Sequence, residues 1–383
     1  MLRKHALRAT IHAVLALSRV VGVVLVAVGL SAGEANPSFG LPPLVIPADN
    51  PITPEKVSLG RKLFMDRRLS RNNTLSCAMC HVPEQGFTQN ELATSVGFEG
   101  KSLRRNAPSL LNVALQHSFQ RDGAKPSLEA QVWGPLLAPN EMANITVENV
   151  VAQINSLPDY QGLFALAFGG KGPSEITVGQ AIASFERTLL SGDSRFDRWY
   201  FGGEADALSQ SEQAGFRVFL SAKCNDCHLI EERVAPFTDN RFHNTGVHAA
   251  SERKSSRQIS VQLAPGVTIE IEPTALSNVS EPEQRDDGRF EVSSDPRDRH
   301  AFKTATLRNV ALTAPYMHDG SLASLEDVVQ FYSSAAANAK ISPETVKLTK
   351  AEAANLIEFL RTLTGSNVPE LARSSRPTHG IER

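Results

Sequence analysis

The spacing of apolar residues along the chain predicts amphipathic helices separated by long polar loops. The clearest example follows Thr349, where apolar side chains from Leu356 to Leu363 fall on one face of a helix that ends before Gly365. Similar capping and termination residues predict two more helices. One covers residues 177–190, with Thr177 as the cap, and the other covers residues 324–332. The pattern is typical of a mainly α protein.

Two helical segments resemble each other and suggest an internal repeat. Leu59–Phe64 reads Leu-Gly-Arg-Lys-Leu-Phe, and Ala214–Phe219 reads Ala-Gly-Phe-Arg-Val-Phe. Thr53 followed by Pro54 predicts the start of the first helix, and the capping box Ser209–Glu212 predicts the start of the second. We therefore predict two related helical modules with a boundary near residues 202–208.

Strand signals are weak. Val267–Ile271 alternates between apolar and polar residues, but it lies within a polar stretch from Ala249 to His300. We expect this stretch to form long loops.

The first residues have the pattern of a secretory signal. Basic residues precede an apolar run from Val20 to Leu30, and small residues follow it. This run is shorter than the roughly 20 apolar residues that span a bilayer. We predict a signal peptide over residues 1–35, a periplasmic protein and no stable membrane span after cleavage. The alternative is an uncleaved anchor.

Composition limits the possible partners. The 383 residues are 41% apolar and 21% charged, which is typical of a globular protein of about two domains. The net charge is −2, and loss of residues 1–35 removes four basic residues and one acidic residue. With no basic stripe, we expect no nucleic-acid partner.

All four cysteines lie in two Cys-x-x-Cys-His motifs, Cys77–His81 and Cys224–His228. This spacing attaches a c-type haem, because two thioether bonds and one axial histidine nitrogen are reached from a single turn. Zinc bound through the four thiolates and a redox dithiol are the alternatives. The adjacent histidines and the export signal favour two covalently bound haems with His81 and His228 as iron ligands.

The sixth iron ligand decides what each haem does. A sulfur ligand closes the iron and produces an electron carrier, whereas an open position admits peroxide. Met142 and Met317 lie downstream of the two motifs and are the candidate sulfur ligands. On spacing alone, a non-catalytic di-haem electron carrier stays open.

A longer set of motifs resembles the bacterial di-haem cytochrome c peroxidase superfamily, which includes MauG and other tyrosine-ligated relatives. The resemblance extends from Leu59 to Gly365. Besides the haem motifs, it rests on Arg105-Asn106-Ala107-Pro108, Ser127-Leu128-Glu129, Phe185-Glu186-Arg187-Thr188, Leu307-Arg308-Asn309-Val310 and Thr313-Ala314-Pro315-Tyr316-Met317-His318-Asp319-Gly320.

This resemblance implies two cytochrome-c-like helical domains, over residues 36–203 and 204–368, with a flexible tail over residues 369–383. It also implies that the first haem reacts with hydrogen peroxide and that the second is a relay. The matching residues above the first haem are Gln131 and Glu141. A carboxylate there assists cleavage of the peroxide bond by general acid–base catalysis, and Gln131 adds a hydrogen bond. Without the resemblance, Glu141 is a solvated charge at a helix end.

The resemblance further implies a calcium ion between the haems. The matching ligands are Asn106, Thr313 and Pro315, which offer the oxygen atoms that a hard cation requires. The alternative for Asn106 is that it caps a turn.

Tyr332 stands where tyrosine-ligated relatives place a haem ligand, seventeen residues after Pro315. A phenolate stabilises more oxidised iron than a thioether does. Residues 82–105 contain no histidine to close the first haem. The alternative is a tyrosine packed at the end of the helix over residues 324–332.

Two positions depart from the family pattern. Arg121 stands where the family has a tryptophan between the haems, and Ala222 replaces the tryptophan through which MauG oxidises its protein substrate. Trp133 and Trp199 are present elsewhere, where a place in the core is at least as good an interpretation.

These positions leave three functional hypotheses. The first is a MauG-like peroxidase that forms a high-valent haem state and oxidises a protein or small-molecule reductant. The second is a conventional cytochrome c peroxidase with a cytochrome or cupredoxin donor. The third is the electron carrier.

Overall fold

The computed structural model describes residues 36–247, 259–264, 267–271, 286–334 and 346–376. The predicted signal peptide lies outside the described residues. The described helices are α1 (Pro54–Met65), α2 (Cys77–Cys80), α3 (Leu128–Leu137), α4 (Val147–Ser156), α5 (Leu163–Ala167), α6 (Glu175–Glu186), α7 (Arg195–Tyr200), α8 (Gln210–Ser221), α9 (Phe290–Ser293), α10 (Leu325–Tyr332), α11 (Lys350–Arg361) and α12 (Val368–Ser375). Short strands are β1 (Phe242–His243), β2 (Ile259–Ala264), β3 (Val267–Ile271) and β4 (Phe302–Lys303). The mainly α prediction is confirmed.

The repeat seen in the sequence has a structural counterpart in two pairs of crossing helices. Gly60 of α1 lies so close to α6 that a Cβ atom there would be 1.9 Å from the carbonyl oxygen of Ala181. Gly215 of α8 approaches α11 in the same way, with 1.9 Å to the carbonyl oxygen of Asn355. Only glycine permits backbones to meet this closely. Each half of the chain therefore contains the same glycine-mediated helix crossing.

Helix starts follow the capping signals with one exception. The capping boxes at Ser209 and Thr349 are confirmed. The helix predicted over residues 177–190 begins instead at Glu175 and ends at Glu186. Ser174 is its cap and accepts a hydrogen bond from Thr177 N at 3.2 Å, so Thr177 is the third residue of the helix.

The prediction of long loops over residues 249–300 is wrong where strands and a helix form. β2 and β3 pair as an antiparallel hairpin in which Ile259 lies opposite Ile271. The alternating segment Val267–Ile271, which is rich in β-branched residues, pairs with β2, the strand that immediately precedes it in the chain. A second pair joins β1 to β4.

The described residues form three buried apolar clusters, of which one lies in the first half of the chain, one mainly in the second, and a third joins residues of the first half to α12. The first includes Trp133 and Met142, both buried. The second is aromatic, and in it the ring of Phe196 packs 5.2 Å from Phe237 and 5.8 Å from Phe359. Trp199 packs against the same core. The predicted boundary at residues 203 and 204 stays a prediction, and the packing of α7 favours an earlier one.

The end of the described chain is helical. α12 covers part of the segment that we expected to be a flexible tail, and its Val368, Ala372 and Ser375 are buried. Ser374 O accepts a hydrogen bond from Arg61 of α1 at 2.7 Å, so this helix is attached to the first half. Within the described ranges, none of the helices is both long enough and apolar enough to span a bilayer.

Candidate active site

The first Cys-x-x-Cys-His motif forms a single helical turn. Cys77 and Cys80 are the ends of α2, and His81 N donates to Cys77 O at 2.9 Å. The ring nitrogen Nδ1 of His81 lies 3.2 Å from the carbonyl oxygen of Phe87. Burial lowers the pKa of His81 to about 4, so the ring is neutral. With Nδ1 donating, Nε2 carries the lone pair that an iron ligand needs.

The second motif repeats this arrangement. His228 Nδ1 lies 2.9 Å from the carbonyl oxygen of Phe237, and burial lowers the pKa of His228. Phe87 and Phe237 are fully buried and have positive φ angles of 56° and 51°. Such backbone is uncommon for a bulky residue, and here it directs a carbonyl at the histidine in both halves. The two histidines are therefore oriented by equivalent contacts.

The thiols fit haem attachment better than the alternatives. All four cysteines are described and none forms a disulfide. Burial raises the pKa of Cys77 to about 12 and that of Cys224 to about 11. A reactive dithiol requires accessible thiolates in a positive environment, and the described residues bring together no set of four cysteine and histidine ligands for a structural zinc ion. The neutral thiols beside an oriented histidine instead match thioether attachment.

Gln131 and Glu141 lie on α3 and on the turn that follows it. Ser127 caps α3 by accepting from Ala130 N at 3.2 Å. The side-chain oxygen of Gln131 is buried and has no hydrogen-bond partner among the described residues. Burial raises the pKa of the Glu141 carboxyl above its ordinary value. An unpaired amide oxygen and a largely enclosed carboxyl are polar groups that a ligand bound between them would satisfy.

Glu141 lies close enough to the first motif to affect its thiols. Burial is the main cause of the raised pKa of Cys77, and the charges of Glu186, Cys80 and Glu141 add to it. Glu141 also raises the pKa of Cys80, after burial and against a hydrogen bond from Ser95. The structure thus brings the Glu141 carboxyl within electrostatic range of the first motif, and its place above the haem stays a prediction.

Glu186 is a second buried carboxyl that sequence reasoning missed. It is the last residue of α6, its Oε2 atom has no described partner, and burial raises its pKa to about 8. A charged residue at a helix end is ordinarily exposed, so no signal in the pattern marked it as buried.

Gly97 positions the Glu141 turn and was also missed. A Cβ atom on Gly97 would lie 1.9 Å from Asn140 O and 3.1 Å from the Cα atom of Glu141. The next residue, Phe98, donates its N–H to Glu141 O at 2.9 Å. The loop carrying Gly97 therefore holds the backbone of Glu141 in place.

Tyr332 reaches the second motif from the end of α10. Burial raises its pKa to about 12, the charges of Cys224 and Cys227 add to this, and a hydrogen bond with Thr245 opposes it. The structure therefore brings the tyrosine to the thiols of the second motif, although more than a hundred residues separate them in the chain. Met317 lies in the turn closed by the bridge between Tyr316 and Leu322.

A cluster beside the second motif has the spacing of a metal site. His243 Nε2 lies 2.7 Å from Asp239 Oδ2 and 3.9 Å from Cys227 Sγ. Attachment of Cys227 to haem removes its thiolate from any such site. The remaining pair, His243 and Asp239, forms an oriented histidine–carboxylate contact beside the thioether.

The predicted calcium ligands lie where the two halves of the chain meet. Asn106 is buried, and its N–H donates to His318 O at 2.7 Å. Thr313 and Pro315 lie a few residues before His318 in the same segment, and the Thr313 hydroxyl donates to Val310 O at 3.1 Å. The three predicted ligands are therefore carried by neighbouring segments.

Both oxygens of Asn106 contact a positively charged side chain of this protein, that of Arg121. Arg121 donates to Asn106 Oδ1 at 2.8 Å and to Asn106 O at 3.3 Å. Burial, and after it the charge of Arg105, lower the pKa of Arg121 to about 10, so the group stays charged at neutral pH. A divalent ion about 4 Å away would be repelled by roughly 8 kcal/mol at an effective dielectric constant of about 20. Asn106 therefore does not fit calcium while Arg121 is in place, and the calcium site stays a prediction.

Comparison with known proteins adds an independent line of evidence. The profile of the family described as di-haem cytochrome c peroxidase matches residues 54–206. The chain is 36% identical to the methylamine utilization protein MauG of Methylorubrum extorquens over 322 residues, which cover 83% of this chain and 80% of that protein. It is 33% identical to the cytochrome c551 peroxidase of Nitrosomonas europaea over 350 residues, which cover 88% and 89%.

A solved structure is similar along most of its length. It is a MauG-like protein associated with microbial copper homeostasis, with a TM-score of 0.67 and 34% sequence identity. The match covers 86% of this chain and 95% of that one. Both the sequence and the arrangement of helices are therefore shared with MauG-like proteins.

Proposed function

Because the chain belongs to the di-haem cytochrome c peroxidase family, in its MauG-like branch, we propose that hydrogen peroxide reacts at the haem held by Cys77, Cys80 and His81. Members of this family are haem-dependent oxidoreductases with two c-type haems. In this chain, Cys224, Cys227 and His228 hold the second. Membership in a peroxidase family sets aside the electron-carrier hypothesis.

When bound, the haem iron supplies the redox chemistry, and the surrounding side chains supply proton transfer and orientation. Glu141 takes a proton from one peroxide oxygen and returns it to the other, which then leaves as water. The observation that supports this role is the largely enclosed Glu141 carboxyl, whose charge raises the pKa of the thiols of the first motif. The unpaired oxygen of Gln131 accepts a hydrogen bond from bound peroxide.

Tyr332 is proposed as the sixth ligand of the second haem. Its support is the buried position beside Cys224 and Cys227. An anionic oxygen ligand favours more oxidised iron than a thioether does, so with Tyr332 as a ligand the second haem would store oxidising equivalents rather than pass electrons readily. This assignment favours the MauG-like reaction over a conventional peroxidase.

The reductant is proposed to be a redox protein, a protein side chain undergoing oxidation, or a small molecule. Ala222 caps the end of α8 where the resemblance places a tryptophan. Without that aromatic side chain, the surface route of MauG is missing here, and a different entry point for electrons is needed. Export to the periplasm is part of the proposal and is supported by the basic and apolar pattern of residues 1–35.

We also propose that residues 36–203 and 204–368 are the two haem domains. The repeated helix crossing and the repeated histidine–carbonyl contact support one haem in each half. The resemblance implies calcium at Asn106, Thr313 and Pro315, but the oxygens of Asn106 are bound by Arg121, and no catalytic step in this proposal depends on calcium.

Replacement of Glu141 tests the proposal. In the Glu141→Gln variant, we expect the rate at which peroxide changes the haem absorption spectrum to fall about 100- to 10,000-fold, because the amide cannot transfer the proton. Stopped-flow absorption of the ferric protein measures this rate. Glu148→Gln on the exposed face of α4 is the matched control and should react at the native rate. A Glu141→Gln rate close to that of the control would rule out the catalytic role.

A further inference from the structure

Asn106 has two oxygens directed at a single positive group. Its side-chain Nδ2 donates to Ala93 O at 3.1 Å, which sets the orientation of the amide. Oδ1 therefore faces Arg121, as does the main-chain oxygen of the same residue. Asn106 is only 4% exposed, so water cannot replace this partner easily.

The loop that carries Arg121 is held on both sides. The carbonyl oxygen of Arg121 accepts a hydrogen bond from Lys303 N at 2.8 Å. The carboxylate of the next residue, Asp122, accepts one from Arg105 at 2.6 Å. Gly123 has φ of 70°, and a Cβ atom there would lie 2.4 Å from the ring of Phe242. The guanidinium is thus placed by a constrained backbone rather than by the side chain alone.

Other charges at this junction leave little room for a second cation. Arg105 binds both oxygens of Asp286 at 2.7 Å, in addition to Asp122. The carboxylates of Asp286 and Asp122 are therefore already paired with an arginine. Asp319 acts electrostatically on Arg121 and partly balances its charge.

We propose that the guanidinium of Arg121 is the resident cation of this junction, and that the protein binds no calcium there. The guanidinium bridges Asn106 to the constrained loop in the way that a metal ion bridges oxygen ligands. Arg121 stands at the position where the family has a tryptophan, and its guanidinium then takes the place of a calcium ion. The inference does not depend on peroxide chemistry.

The calcium content of the holoprotein tests this inference. Native protein with both haems attached is equilibrated with calcium chloride, separated from free ion and analysed by elemental mass spectrometry. We expect no stoichiometric calcium, and an unfolding midpoint that does not change when a chelator is added. The Arg121→Met variant should gain about one calcium ion per chain and a midpoint that rises with calcium concentration.

Three further variants complete the design. Arg121→Lys keeps the charge and should bind no calcium, whereas Arg121→Ala removes the side chain without adding bulk and replaces the Met variant if that one does not fold. Arg297→Met, at an exposed arginine paired with Asp295, is the control for loss of an arginine elsewhere. Stoichiometric calcium in the native protein overturns the inference. So does the absence of calcium from both neutral variants, because Arg121 would then not occupy a cation site.

Discussion

Glu186 shows how burial changes what a single carboxyl does. Its pKa of about 8 in the folded protein lies above the ordinary value of 4.5, with burial as the first cause. As pH rises, the unfolded chain releases this proton first. Between pH 4.5 and about pH 8, the free energy of unfolding therefore falls by about 1.4 kcal/mol per pH unit because of this group. The stabilising contribution is fully present only below pH 4.5.

Replacement by an uncharged isostere should remove this pH dependence. In Glu186→Gln, we expect the urea midpoint to fall less steeply than in the native protein as pH rises through this window. Equilibrium unfolding at several pH values measures the difference. The exposed Glu204→Gln variant should keep the native slope. Identical slopes for native protein and Glu186→Gln would show that Glu186 is not the titrating group.

For individual residues, the sequence is informative where the chemistry of a cofactor dictates the spacing of its ligands. The haem-binding cysteines and histidines were predicted from five-residue motifs, because the cofactor is reached from one turn. Arg121 was recognised as a departure, but its contact with Asn106 was not expected. A bond between side chains fifteen positions apart depends on a loop conformation that residue identity alone does not specify.

At the scale of elements, α3 and the loop of Gly97 form one unit that presents Glu141. The end of α3 and the Gly97 loop meet through backbone contacts, with Phe98 N donating to both Asn140 O and Glu141 O. The residues of the loop contribute no group to the chemistry, but they decide where the carboxyl lies. Capping signals predicted most helix starts, because a cap is a contact within a few residues.

A methyl group on Gly97 should therefore damage the site from outside it. In Gly97→Ala, we expect the turn to shift and the rate of the peroxide reaction to fall about 10- to 100-fold, since misplacement by about 1 Å costs this much. Stopped-flow absorption measures the rate, and circular dichroism confirms the fold. Gly172→Ala, where a Cβ atom meets nothing within 4 Å, should behave as native. A native rate for Gly97→Ala would mean that the turn adjusts without moving Glu141.

The whole molecule brings together groups that no single element contains. Tyr332 comes from α10, and the thiols near it come from the turn after α8. Replacement of Tyr332 by methionine should raise the reduction potential of the second haem by on the order of 100 mV, a fraction of the roughly 0.8 V that axial ligands span. Spectroelectrochemical titration measures this shift.

Controls for this experiment separate ligation from packing. Tyr200→Met, at a 44% exposed tyrosine at the end of α7, should leave both haem potentials unchanged. The peroxide-oxidised spectrum should also decay faster in Tyr332→Met than in native protein. An unchanged potential in Tyr332→Met would show that Tyr332 only packs at the end of α10.

The sequence by itself determined the helical class, the repeat and the two haem-attachment turns. Each of these rests on contacts within a few residues, where spacing alone specifies geometry. Tertiary structure decided that Glu186 is buried, that Gly97 supports Glu141 and that Arg121 takes the oxygens of Asn106. These depend on segments far apart in the chain packing together, and the energy of a polar group depends on whether that packing removes its water. For this reason, the haem motifs could be predicted from the sequence, whereas the contact of the Arg121 guanidinium with Asn106 could not.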